Sequence, residues 1–169
     1  DPPQTFLKLV GEDHLDKKFA KKVEGWAPPD GGAFVVHTAL IDYPRYKKVY
    51  GPDAEKAFFL WWGVDSHQEL DEVMRQVVGG ELPKRVLGSM CCPSYFDPSC
   101  APPGKHLVYF YTVGPRYDKL KGKGYDEVKE EYADYMIDQW GEFAPNVTKD
   151  NVISRYVYTH MDAKRSFPT

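Results

Sequence analysis

The groups in this 169-residue sequence that are able to do chemistry are thinly spread. The five histidines, His14, His37, His67, His106 and His160, stand singly. There is no His-x-x-x-His pair and no Cys-x-x-Cys, so a zinc site would have to draw ligands from remote parts of the chain. Cys91 and Cys92 are adjacent, a spacing that bridges only under strain, and no basic neighbour stands by to lower either thiol pKa. With Cys100 they read as ordinary small buried residues. Asp126, Glu127, Glu130, Glu131 and Asp134 mimic a carboxylate site, but helical spacing lays them opposite an apolar stripe, as a solvated face. Gly31-Gly32, Gly79-Gly80 and Gly122-Lys123-Gly124 all lack the Gly-x-Gly-x-x-Gly spacing of a dinucleotide loop, and there is no Walker loop.

What remains is apolar surface. Several strand-like segments carry large apolar groups at both parities, whereas a sheet with helices on one side needs them on one parity only. Phe34 and Val36, Phe59 and Trp61, and Tyr109 and Tyr111 are same-parity pairs, and we read these six as lining an apolar ligand tunnel. A second helical layer or a dimer partner on that face fits the pattern equally well.

The elements that must position these residues can be placed from periodicity. After an extended start, Glu12 to Trp26 spaces Leu15, Phe19 and Val23 by fours, as in an amphipathic helix that ends at Pro28-Pro29 and Gly31-Gly32. Ala33 to Ile41 reads as a central strand, Asp42 to Glu55 as a loop, and Ala57 to Val64 as a second strand. Ser66 with Glu69 predicts a capped helix running to about Val77. Val86 to Cys91 is a third strand. It is followed by a Pro-dense run, Cys92 to Gly104, whose prolines argue against a regular helix. His106 to Val113 is the clearest strand and Tyr125 to Phe143 the strongest helix, with the final strand at Val152 to Tyr158 and then a charged tail. The pattern predicts an α+β fold: a mixed, mostly antiparallel sheet of about five or six strands, helices on one face, and the other face lining a substrate cavity or an interface.

Composition narrows the partners. The length suits one domain, residues 1–169. A net charge of -3 leaves no polycationic surface for a phosphate backbone, so nucleic acid is not expected. No apolar run approaches the roughly 20 residues of a spanning helix, and no leader opens the chain. Three cysteines form no disulfide framework, which suggests a soluble protein of a reducing cytoplasm. The aromatic share of 15% is high enough to suggest rings beyond the needs of the core.

Four runs, in order, carry a resemblance. Asp1-Pro2-Pro3-Gln4-Thr5-Phe6-Leu7-Lys8-Leu9-Val10-Gly11 is similar to the asparagine-alanine-aspartate-proline exit from the flavin domain in phytoene-desaturase-like (phytoene dehydrogenase-like) FAD-dependent oxidoreductases, without the first two residues of that motif. Asp97-Pro98-Ser99-Cys100-Ala101-Pro102-Pro103-Gly104-Lys105-His106 resembles that family's Asp-Pro-Ser-x-Ala-Pro-x-Gly-x-His run. Phe143-Ala144-Pro145-Asn146 resembles its tyrosine-alanine-proline-asparagine. Tyr158-Thr159-His160-Met161-Asp162 resembles the Thr-Pro-x-Asp re-entry, with His160 where proline is usual.

The resemblance implies a substrate-binding domain inserted between two FAD-binding segments of a longer chain. The parent would pass hydride to FAD from a long apolar substrate, carotenoid- or retinoid-like, while this fragment alone would hold no FAD and be inactive. Its partners would be the FAD-binding domain of the parent and that substrate, and any membrane contact would come through the parent. Two other readings stand beside it: a free-standing dimeric α+β ligand-binding module, and a small cofactor-free α+β barrel enzyme with His37 or His106 as base.

Overall fold

The computed structural model describes residues 2–27, 29–47 and 50–167. The chain separates into two compact bodies, one formed by residues 1–29 with 164–169, the other by residues 30–163.

In the first body the amino-terminal stretch is helical rather than extended: Gln4–Gly11 winds with π-type hydrogen bonds and Glu12–His14 adds a 3-10 turn. Pro2 and Pro3 favour this start, because a helix's first turn has no use for their missing N–H groups. The amphipathic segment forms α1 (Lys17–Glu24), shorter than the periodicity suggests. The Asp16 carboxylate accepts hydrogen bonds from the Lys18 and Phe19 amides and so sets its start. Phe6 and Phe19 meet edge to face at 5.0 Å.

The second body is built on a five-stranded sheet of order β2-β3-β4-β1-β5, every neighbour antiparallel. Its strands are β1 (Gly31–Leu40), β2 (Leu60–Trp62), β3 (Gly88–Cys91), β4 (His106–Pro115) and β5 (Val152–Thr159). The α+β, antiparallel expectation is met, although β2 keeps only three residues of the apolar run Ala57 to Val64. Residues 42–53 are irregular as expected, save Lys48 and Val49, which lie outside the described residues.

The long helix α4 (Tyr125–Gly141) packs across one face of the sheet. There Phe34 and Phe110 are fully buried against Tyr132 and Trp140, with ring centroids 5.1 and 5.7 Å apart. Three α4 side chains tie the helix to the strand-entry segment: Tyr132 donates to the Pro83 carbonyl, Tyr135 to the Lys84 carbonyl, and Gln139 bonds both the Lys84 carbonyl and the Val86 amide. Its acidic side is not merely solvated, which corrects the expectation from sequence. Glu130 and Asp134 form ion pairs with Arg155 of β5.

Helix α2 (His67–Val78) is capped by Ser66, whose hydroxyl accepts from the Glu69 amide. It lies at one end of the opposite face: a Cβ on Gly31 would fall 2.7 Å from Val77 and 3.0 Å from Val113, so glycine admits the helix there. The Pro-dense run is not wholly extended. Pro93 begins one helical turn, α3 (Pro93–Phe96), and Pro98 begins a 3-10 turn capped by Asp97, each proline occupying a first-turn position where its missing donor costs nothing. The charged tail coils into α5 (His160–Ser166). Its first turn is closed by Asp162, which accepts from the Thr159 amide and hydroxyl at 2.9 Å each.

Candidate functional site

Strand alternation sorts the side chains of the sheet into two sets. With Phe34, Val36, Val108, Phe110 and Val157 under α4, the opposite parity must point away, and the pairing register aligns those residues in two rows across the strands. One row runs Trp61, Ser89, Tyr111, Val35, Tyr158 over all five strands. The other runs Cys91, Tyr109, His37, Tyr156 from β3 to β5. At the usual spacing between strands, the first row extends about 19 Å. His37 stands between rings, 5.3 Å from Tyr109 and 6.3 Å from Tyr156.

Of the six residues singled out from sequence, Trp61, Tyr109 and Tyr111 come together on this surface. Trp61 is 66% exposed and the two tyrosines are half-buried. Phe34 and Val36 do not share it: both are 0% exposed, beneath α4. Their placement with Tyr109 and Tyr111 is therefore corrected. In the β1–β4 register Phe34 faces Thr112 and Val36 faces Phe110, so their parity on β1 matches the even-numbered residues of β4. Phe59 precedes β2, half-exposed, with its ring against Phe58 at 4.9 Å. Two further rings, Tyr156 and Tyr158, belong to the surface and were not singled out from sequence. Their alternation about Val157 was the available signal.

The surface carries few charges. Burial, helped by Tyr111 and Cys91, pushes the Tyr109 hydroxyl above its ordinary pKa. Burial, with Cys92 beside it, likewise raises the Cys91 thiol, so this cysteine stays protonated and is a poor nucleophile. Cys91 and Cys92 are buried as anticipated, whereas Cys100 is exposed. Among the described residues no cluster of His, Cys, Asp and Glu is arranged to hold a metal ion, and no helix is long and apolar enough to cross a membrane. The arrangement is suited to holding a ring-bearing or apolar molecule, or another protein surface.

The residues of the sequence runs act as turn clamps. Asp97 accepts from the Ser99 amide and hydroxyl at 3.0 and 2.7 Å. Asn146 accepts from the Arg45 amide at 2.8 Å and donates to the Tyr43 carbonyl at 2.9 Å, joining the segment after β1 to the one after α4. Asp162 closes the turn after β5 and also pairs with Lys129.

No family model matches the chain. In sequence it is similar to the "Pyridine nucleotide-disulfide oxidoreductase domain-containing protein 2" of Rattus norvegicus, 27% identical over 98% of this chain and 29% of that protein. The protein of the same name in Mus musculus is 26% identical over the same shares. A limonene dehydrogenase subunit of Castellaniella defragrans is 25% identical over 99% of this chain and 32% of that protein. The chain thus spans roughly a third of the length of the curated relatives it matches. The likeness is to oxidoreductases, and it does not single out the phytoene-desaturase type.

Proposed function

We propose that this chain is the substrate-binding portion of a flavin-dependent oxidoreductase of the phytoene-dehydrogenase-like kind, acting on an apolar, isoprenoid-like molecule. The observation that carries the reading is the pair of aromatic rows facing away from α4, a floor broad enough for an elongated or ring-bearing hydrocarbon. The likeness to oxidoreductases supports it, since nearly all of this chain aligns with less than a third of each relative. A relative named for limonene, an apolar terpene, agrees with the lining.

FAD would be held elsewhere in the full-length protein and would accept hydride from the bound substrate. The starts of the longer helices support that placement. A flavin diphosphate is best received at an uncovered helix N-terminus. The starts of α1, α2, α4 and α5 are each occupied by side chains of this chain, from Asp16, Ser66 with Glu69, Glu127 and Asp162. What these residues contribute is binding: Trp61, Tyr109, Tyr111, Tyr156 and Tyr158 exclude water and lay the substrate flat, while the FAD-binding domain of the same protein supplies the roof. A cytoplasmic setting, with membrane contact only through the rest of the protein, belongs to the same proposal.

The test is made on the full-length protein, following loss of the oxidised flavin absorbance with a panel of terpene and carotenoid hydrocarbons. Trp61→Ala and Tyr111→Ala each remove a ring worth about 1.5 kcal/mol or more of burial, and are expected to raise KM roughly tenfold with flavin content unchanged. Unchanged KM in both variants would overturn the assignment of this face.

A further inference from the structure

The aromatic face carries an imidazole among its rings and hydroxyls. His37 lies at the middle of β1, with Val35 and Ala39 as its same-face neighbours along the strand and Tyr109 and Tyr156 across it. Its ring is held by edge and tilted contacts with those two tyrosines and is half-buried. Among the described residues neither of its nitrogens has a hydrogen-bond partner, in contrast to His106, whose Nδ1 meets the Ser94 hydroxyl at 3.4 Å.

The phenols of Tyr109 and Tyr156 that flank it have no protein hydrogen bond among the described residues either. The Tyr109 hydroxyl is a neutral phenol, able to donate as well as accept. His37, Tyr109 and Tyr156 therefore stand side by side in one row with polar groups that no described residue engages, and of the two rows this one alone carries an imidazole beside its hydroxyls.

We infer that His37, with Tyr109 and Tyr156 beside it, is a specificity-determining site for one oxygen function, a hydroxyl or carbonyl, on an otherwise apolar substrate. The inference rests on the substrate-domain reading and deepens it. The row Trp61, Ser89, Tyr111, Val35, Tyr158 receives the hydrocarbon body, and the row through His37 receives the oxygenated end. The imidazole donates to a carbonyl, or donates to and accepts from a hydroxyl according to its tautomer. It is a positioning group and takes no part in bond breaking.

The experiment compares farnesene and farnesol, which share one carbon skeleton with and without a hydroxyl, by calorimetric titration of the full-length protein. Replacing His37 by leucine is expected to weaken farnesol binding by about three- to tenfold, the ordinary worth of one hydrogen bond, and to leave farnesene binding unchanged. His37→Gln, which keeps a donor and an acceptor, should restore part of the preference. Tyr111→Ala should weaken both ligands alike. Equal losses for the two ligands in His37→Leu, or no loss for farnesol, would overturn the inference while leaving the aromatic floor in place. Absence of binding for both ligands in the unsubstituted protein would instead count against the substrate-domain reading, and the assignment of His37 would fall with it.

Discussion

At the scale of single residues, the glycine with least room for a side chain among the described residues is Gly32, against which His160 packs. A Cβ on Gly32 would fall 1.3 Å from His160 Nε2, so the imidazole occupies the space that a side chain on β1 would fill. Burial pushes the His160 pKa below the ordinary histidine value, with a hydrogen bond to the Pro115 carbonyl opposing it in part. The unfolded chain therefore takes up this proton first as pH falls. The stability contributed by neutral His160 is complete above the unfolded pKa of about 6.5 and is lost as pH drops through the lower folded value. We expect the urea midpoint to fall between about pH 7 and about pH 5, with His160→Gln flattening that dependence. Gly32→Ala should cost about 1–3 kcal/mol and flatten the same pH profile, because the ring is forced out; a pH slope unchanged in both variants would refute this account. Asn146 offers a second check. Of its two bonds to the Tyr43–Arg45 segment, the one to the Tyr43 carbonyl is part-buried and the one from the Arg45 amide is exposed, and Asn146→Ala is expected to lower stability by about 1 kcal/mol in chemical denaturation.

At the scale of elements, the decisive relation is between α4 and the sheet, because it determines which parity of β1 and β4 becomes core. Phe34→Ala, under Tyr132, should cost about 3–5 kcal/mol, whereas Tyr111→Ala on the opposite face should cost far less. Comparable losses at the two positions would contradict the face assignment. The seat of α4 is also electrostatic. Arg155 reaches Glu130 at 3.1 Å and also bonds Asp134, whose pKa it lowers. These carboxylates are partly solvated, so Arg155→Ala is expected to cost only about 1 kcal/mol, less at high salt. The helices and strands were legible from sequence because their periods are local: Ser66 and Glu69 mark the start of α2, and Tyr125 to Gly141 shows its apolar stripe. The shortening of β2 was not legible, since Phe58 and Phe59 look strand-like but find no pairing partner. The helical start was hidden because Pro2-Pro3 reads equally as an extended segment and as a first turn.

At the scale of the whole molecule, we propose that the aromatic rows are roofed by an FAD-binding domain lying elsewhere in a longer protein. Trp61 reports on it directly: the fluorescence difference between Trp61→Phe and the unsubstituted protein should shift to shorter wavelength in the full-length protein relative to this chain alone. An identical emission in the two would show that nothing covers Trp61. The sequence by itself determined the main strands, the helices α1, α2 and α4 and the high aromatic content, which depend on near neighbours along the chain, whereas the helical start, the turns of the Pro-dense run, α5 and the clamps at Asp97, Asn146 and Asp162 emerged only in the structure. Only the tertiary structure decided that Tyr109, Tyr111 and Trp61 look one way while Phe34 and Val36 look the other, and that His37, Tyr156 and Tyr158 join the former. The physical reason is that both parities of these strands are apolar. Alternation then separates two faces without telling which receives α4, and strand register, set by pairing between distant segments, makes the choice.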